Sequence, residues 1–152
     1  MNDLLSKIGE IIKIVQYIEH NLALLIRYQK VLKLFEDKDS VPNDLFYETD
    51  QEAEEIQDKL SNMTLGRVIN YVKKYRFLNN QELNNLENIL QKRNDLIHHY
   101  FKDKDFEKHS NNYGFIDNQT RYLTNFLNSA GNFNYYLCTL IEEKEDEYNA
   151  IE

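Results

Sequence analysis

The chain has 152 residues, room for one hydrophobic core of ordinary size, so a single domain over residues 1–152 is the first expectation. One proline and four glycines, against abundant Leu, Ile, Asn, Lys and Glu, leave too little punctuation for sheets and hairpins and predict an all-α fold. A net charge of −8 opposes general attraction to a polyanion, and the single Cys138 excludes an intramolecular disulfide and a cysteine-based zinc cluster.

The N-terminal stretch MNDLLSKIGEIIKIVQYIEH carries charges every few residues, which predicts neither a signal peptide nor a membrane span. A reducing cytoplasm suits the lone thiol. Leu4, Ile8, Ile11, Val15, Ile18, Leu22, Leu25 and Leu32 alternate spacings of four and three, with Gln29 the polar member of the series, and predict a long first helix. Leu5, Ile12 and Ile26 widen that stripe beyond a two-stranded seam, as bundle packing requires. The segment EDKDSVPNDLFYET, with the proline and several turn formers, reads as a surface loop. Thr49 and Glu52 have the spacing of a capping box, opening a short acidic helix to about Leu60 that buries Ala53, Ile56 and Leu60.

Thr64 can cap the next helix, LGRVINYVKKYRFL, with Leu65, Val68, Ile69 and Val72 inward. Its Arg67, Lys73, Lys74 and Arg76 point largely outward as the densest basic patch of an acidic chain. Such a patch is either a solvated face or a surface that tracks a polyanion backbone. Asn79 and Glu82 form another capping box, starting a helix expected to run to about Lys102. Its apolar stripe is Leu83, Leu86, Leu90, Ile97 and Phe101. The polar segment DKDFEKHSNNYGFI reads as a loop, and its His109 as an ordinary solvated histidine. From about Asp117 a second long helix repeats the pattern at Leu123, Phe126, Ala130, Phe133, Leu137 and Leu140, with Gly131 allowing a close helix contact or a kink and EEKEDEYNAIE fraying at its end. The sum is an up-and-down bundle of about four long helices plus a short one.

Arg93 falls on the buried stripe, where an aliphatic residue would otherwise pack, and Asn94, His98, His99 and Tyr100 follow it toward the helix end. A permanent cation, two imidazoles and a phenol are the chemistry of a phosphate site. The Arg-to-His spacing alone has little weight, since chance gives about 0.4 such matches in a chain of this composition. The bland alternative pairs Arg93 with a carboxylate, Glu87 or one on another helix, and leaves the histidines as surface residues. Adjacent histidines diverge by about 100° on a helix, and without an acidic residue at ligand spacing no metal and no cofactor are expected.

The string RNDLIHHYF resembles the HEPN superfamily, whose ribonuclease members carry a helix-borne arginine, a polar neighbour and a histidine four to six residues on. The match is Arg93, Asn94 and His98, with His99 also inside the permitted spacing. Tyr100 completes the His-x-Tyr ending of HEPN toxins partnered by a nucleotidyltransferase antitoxin, and TLGRVINYVKKY is similar to a stretch upstream of the motif in some bacterial and phage HEPN-like proteins. The resemblance implies a homodimer whose motif helices meet at a composite site. It further implies metal-independent cleavage of RNA by 2′-hydroxyl attack, and a place in toxin–antitoxin or antiphage defence with a cognate antitoxin as partner. On this reading His98 is the general acid/base, Arg93 stabilises the phosphate and transition state, Asn94 positions, and Tyr100 accepts a nucleotide adduct, stacks on a base or caps the core. Arg67, Lys73, Lys74 and Arg76 would form the RNA-binding patch. Arg93 and His98 are separated by about 140° and about 7.5 Å along one helix, so a single copy does not stack its own pair, and a two-fold pairing could bring both arginines and both histidines around one phosphate. The alternatives are a non-catalytic HEPN-like dimer binding a nucleotide or a protein, and a structural dimer whose first and last helices are the working surface.

Overall fold

The computed structural model describes residues 2–36, 40–109 and 111–151 of the chain, and among them the only regular structure is helical. The all-α expectation holds. Helices α1 (Asn2–Leu32) and α7 (Tyr113–Asn149) form the axis of a bundle, with α2 (Asn43–Leu60), α3 (Leu65–Tyr75) and α4 (Asn80–His98) packed around them. Two short pieces, α5 (Tyr100–Lys104) and α6 (Phe106–His109), join α4 to α7. No described helix is long and apolar enough to cross a membrane.

The stripe predicted for α1 is buried at Leu4, Ile8, Ile11, Val15, Ile18, Leu22 and Leu25, widened by Ala23 and Ile26, and reaches Val31 instead of Leu32. Leu5, assigned to that widened stripe, is exposed. The axis helices run parallel: Asn21 donates to Asn134 at 2.7 Å, and farther along both helices Tyr28 packs on Tyr148 at 5.4 Å between ring centroids. That direction follows from the connections, because α2, α3 and α4 alternate and α7 rises again beside α1. Inward residues of α7 are Leu123, Phe126, Ala130, Phe133 and Leu137, as the spacing predicts, and Leu140 packs half-buried against them.

Helix α3 ends three residues early, at Tyr75, where Arg76 is left-handed at φ 55°, and four further boundaries differ from the sequence reading. Helix α2 begins at Asn43, behind Pro42, whose carbonyl accepts the Phe46 amide at 3.0 Å. Thr49 is therefore not a cap but a buried residue inside the helix. Asn43 and Asp44 look like loop residues because the types that favour turns also favour a first helical turn. Helix α7 starts at Tyr113, where Asn112 Oδ1 accepts the Phe115 amide at 3.1 Å, and it continues through the acidic tail to Asn149. The tail is pinned: the Tyr148 hydroxyl donates to Asp50 at 2.8 Å and its ring meets Tyr28 and Phe46. A Cβ placed on Gly131 would touch nothing within 4 Å, so that glycine permits no close approach.

The fourth difference shapes the site. Helix α4 starts at the predicted capping box, with Asn79 Oδ1 accepting from the Glu82 amide and Glu82 Oε1 accepting from the Asn79 amide, both at 2.8 Å. It stops at His98, and His99 leaves helical geometry at φ −131°, ψ −21°. The segment read as a loop from Asp103 folds instead into α5, a left-handed Asp105 at φ 49°, and α6. Phe106 supplies the reason: it meets Tyr100 at 5.1 Å, Phe101 at 5.0 Å and Phe115 at 5.2 Å between ring centroids, a cluster that draws the turn onto the bundle.

Past Leu90 the buried face of α4 is not the predicted stripe. Leu96 is 3 % and Tyr100 1 % exposed, whereas Ile97 is 45 % and Phe101 42 % exposed. Helix α3 flanks the Leu83–Leu90 side through a Lys73–Glu87 ion pair at 2.8 Å, and a Cβ placed on its second residue, Gly66, would lie 3.8 Å from Leu90. Only 11 residues long, α3 begins beside Leu90 and leaves Ile97 and Phe101 without the cover that the upper part of the stripe enjoys. In dilute protein Leu96→Ala should lower the unfolding free energy by about 2–5 kcal/mol and Ile97→Ala by less than about 0.5 kcal/mol. Urea denaturation checks the contrast, and equal losses would put Ile97 in the core.

Candidate functional site: a histidine cleft at the end of α4

The end of α4 brings some of the predicted residues together and separates others. Asn94, His98 and His99 line one open cleft of about 570 Å³ with Lys92, Asp95 and Tyr122. Both imidazoles are exposed, their ring centroids 6.2 Å apart and tilted by 58°. The break at His99 follows directly: His98, the last residue of α4, and His99 face solvent, and the chain then turns Tyr100 into the core.

Arg93 is half-buried on the neighbouring face and does not line the cleft. Its Nη1 donates to Asn94 Oδ1 at 3.0 Å, so the asparagine links the arginine to the histidine side. Across the interface with α1 the guanidinium acts on Glu19. Burial pushes the Glu19 carboxyl above its ordinary value of 4.5, and Arg93 pulls it partly back. The carboxylate opposite Arg93 is thus on another helix, one of the two sources the sequence left open. The other, Glu87, is paired with Lys73.

Tyr100 has one of its three anticipated roles. Its hydroxyl donates to Gln119 Oε1 at 2.6 Å, and its ring packs among Phe106, Phe101 and Tyr122. Burial, then Tyr122 and Asp95, push the phenol well above its usual range. At 1 % exposure it caps the core, and in this conformation neither a base nor a nucleotidyl group reaches the oxygen. Arg67, Lys73 and Lys74 on α3 and Arg76 just past its end are exposed as expected, but none lines the histidine cleft. Lys73 is engaged with Glu87, and Lys74 lies 5.6 Å from the Tyr75 ring centroid. His109, half-buried in α6, stacks near Phe115 at 5.0 Å and serves the aromatic cluster.

Sequence reasoning overlooked Lys92, Asp95 and Tyr122. Asp95 stands three residues before His98 and four before His99, on the side of α4 that faces α7, contrary to the expectation that no acidic residue sits at ligand spacing. A signal was present: Asn85, Asn88, Lys92, Asp95 and His99 alternate spacings of three and four, a polar stripe as regular as an apolar one. Among the described residues no three His, Cys, Asp or Glu side chains converge as a metal-binding group. Chemically, the cleft offers two accessible imidazoles for proton transfer, a carboxylate within the same walls, and Lys92 with the neighbouring Arg93 for an anion.

Glu19 provides a test of this electrostatic arrangement. Its folded-state pKa lies above the unfolded value, so its stabilising contribution is complete below 4.5 and is lost as pH rises through the folded pKa. Arg93→Ala removes the opposing charge, so the carboxyl should titrate at still higher pH and the loss should be larger. Carboxyl-detected NMR titration reads this directly, and an unchanged Glu19 midpoint would show that the guanidinium does not act on it.

No family model, curated protein or solved structure that was compared with the chain matches it.

Proposed function

We propose that the chain is a HEPN-type, metal-independent endoribonuclease that works as a homodimer, with His98, Arg93 and Asn94 as its site and His99 beside them. The observation that carries the reading is the shared cleft of Asn94, His98 and His99, with Arg93 one hydrogen bond away through Asn94. An accessible imidazole takes the proton of a ribose 2′-hydroxyl as the 2′-oxygen bonds to the adjacent phosphorus. The bond from phosphorus to the 5′-oxygen breaks, and a protonated imidazole, His98 of the second copy or His99, gives that oxygen its proton. The products are a 2′,3′-cyclic phosphate and a 5′-hydroxyl. Arginine's planar fork holds the non-bridging oxygens as charge develops on them.

The dimer rests on the face that α3 leaves bare. Ile97, one turn beyond Arg93, and Phe101, past the break at His99, are exposed apolar residues, the kind of surface a partner covers. Two-fold pairing there sets two copies of Arg93 and His98 around one phosphate. A role as the toxin of a toxin–antitoxin or antiphage defence system, restrained by a cognate antitoxin or nucleotidyltransferase, follows from the sequence resemblance. One observation favours the second reading, a non-catalytic HEPN-like dimer that binds a nucleotide or a protein: Arg93 lies outside the cleft, with Glu19 offsetting its charge.

Purified protein incubated in EDTA with total RNA and tRNA should leave cyclic-phosphate ends, and a folded Arg93→Ala/His98→Ala variant should leave the RNA intact. Cleavage by neither protein favours the binding module. Sedimentation analysis should find a dimer that Ile97→Glu converts to a folded monomer with most cleavage lost; a wild-type monomer that cuts RNA at full rate would rule out the composite site.

A further inference from the structure

Beyond the histidine cleft, toward the start of α4, the two helices α4 and α7 enclose a second groove of about 510 Å³, within the roughly 300–1,000 Å³ of small-molecule sites. Its walls are mostly carboxamides: Gln81, Asn85 and Asn88 from α4 face Asn132 from α7. The amides of Asn85, Asn88 and Asn132 are exposed and make no side-chain hydrogen bond to any described residue. The floor is apolar, with Ile89 and Phe133 buried, and Tyr136 stands at the rim with 36 % of its surface open. Burial, and after it the neighbouring Glu82 carboxylate, push the Tyr136 phenol up to about 12, so the rim aromatic is neutral at working pH.

This inventory selects among ligands. Glu82 and Lys92 are the charged groups in the lining, too few and too opposed to hold a free polyanion or a metal ion by charge. A carboxamide sets a donor beside an acceptor in one plane, the complement of a nucleobase edge, and an open aromatic face at the rim accepts a base by stacking. The groove also joins the site already described: Asn88 and Lys92 line both spaces, and the stripe from Asn85 to His99 connects them along about 21 Å of helix. At the junction Lys92 Nζ lies 5.8 Å from the Phe126 ring centroid, which holds the ammonium where a phosphate between two bases would pass.

We propose that the groove is a nucleobase subsite, seating single-stranded RNA so that Asn85, Asn88 and Asn132 read base edges, Tyr136 stacks, and Lys92 holds the phosphate leading to the cleft. It rests on the RNA reading of the cleft and assigns substrate selection to a surface separate from the chemistry. Duplex RNA is refused, because paired bases present no free Watson–Crick edge.

The test uses fluorescence anisotropy of short, labelled homopolymeric single-stranded RNAs in EDTA, with gel cleavage of the same strands in parallel. Wild type should prefer some bases over others. Asn85→Ala/Asn132→Ala, two exposed positions that line the groove but not the cleft, should bind the preferred strand about tenfold more weakly and lose the preference. His98→Ala/His99→Ala should keep both affinity and preference while losing cleavage. If the asparagine variant, folded by circular dichroism, binds every strand like wild type, the subsite is wrong although the enzyme stands. Preference without cleavage in the wild type keeps the subsite and removes the nuclease. A wild type that neither binds nor cuts removes both.

Discussion

The burial of Tyr100 is the constraint on which the site's geometry depends. A phenol sealed against α7 needs a partner for its hydroxyl, and Gln119 supplies one at 2.6 Å. To place the ring there the backbone leaves the helix at His99, two short helical turns follow, and Phe106 closes over the ring. A continuous helix to Lys102 would have placed Tyr100 elsewhere than in the core, since the turn at His99 is what redirects the chain. The histidines at the break share their cleft with Asp95 of α4 and Tyr122 of α7.

Much of the architecture was legible in the sequence because it is local or periodic. The α1 stripe from Leu4 to Leu25 and the capping box of Asn79 and Glu82 need only neighbours along the chain, and both are present. Thr49 and Glu52 satisfy the same box spacing, yet the helix had already begun behind Pro42; spacing identifies a cap only where the chain enters the helix. The stripe of α4 failed for another reason. Ile97 and Phe101 hold positions that a longer α3 would bury, and the reach of one helix over another is not written in either periodicity.

The candidate site divides in the same way. That Arg93 sits oddly on an apolar face could be seen from residue order, but Glu19 opposite it, some seventy residues earlier, could not. Asn94, His98 and His99 are neighbours in sequence and in the cleft. The basic residues of α3 look equally close on paper, and they lie outside it because α3 flanks the Glu87 side of α4 while the cleft opens toward Tyr122 of α7. Asp95 and Lys92 went unnoticed because periodicity was asked of apolar residues alone.

The parallel axis of α1 and α7 bears on how the chain is made. Helix α1 leaves a ribosome well before α7, its main partner, with α2, α3 and α4 covering only parts of it meanwhile. Until residues near Asn134 and Tyr148 are synthesised, Ile11, Val15 and Ile18 have no completed core to enter, and their loop closure spans more than a hundred residues. Non-local pairing of this kind slows folding and prolongs the exposure of a sticky surface. The same long-range pairing that completes the core in the finished fold is therefore the last to become possible as the chain emerges.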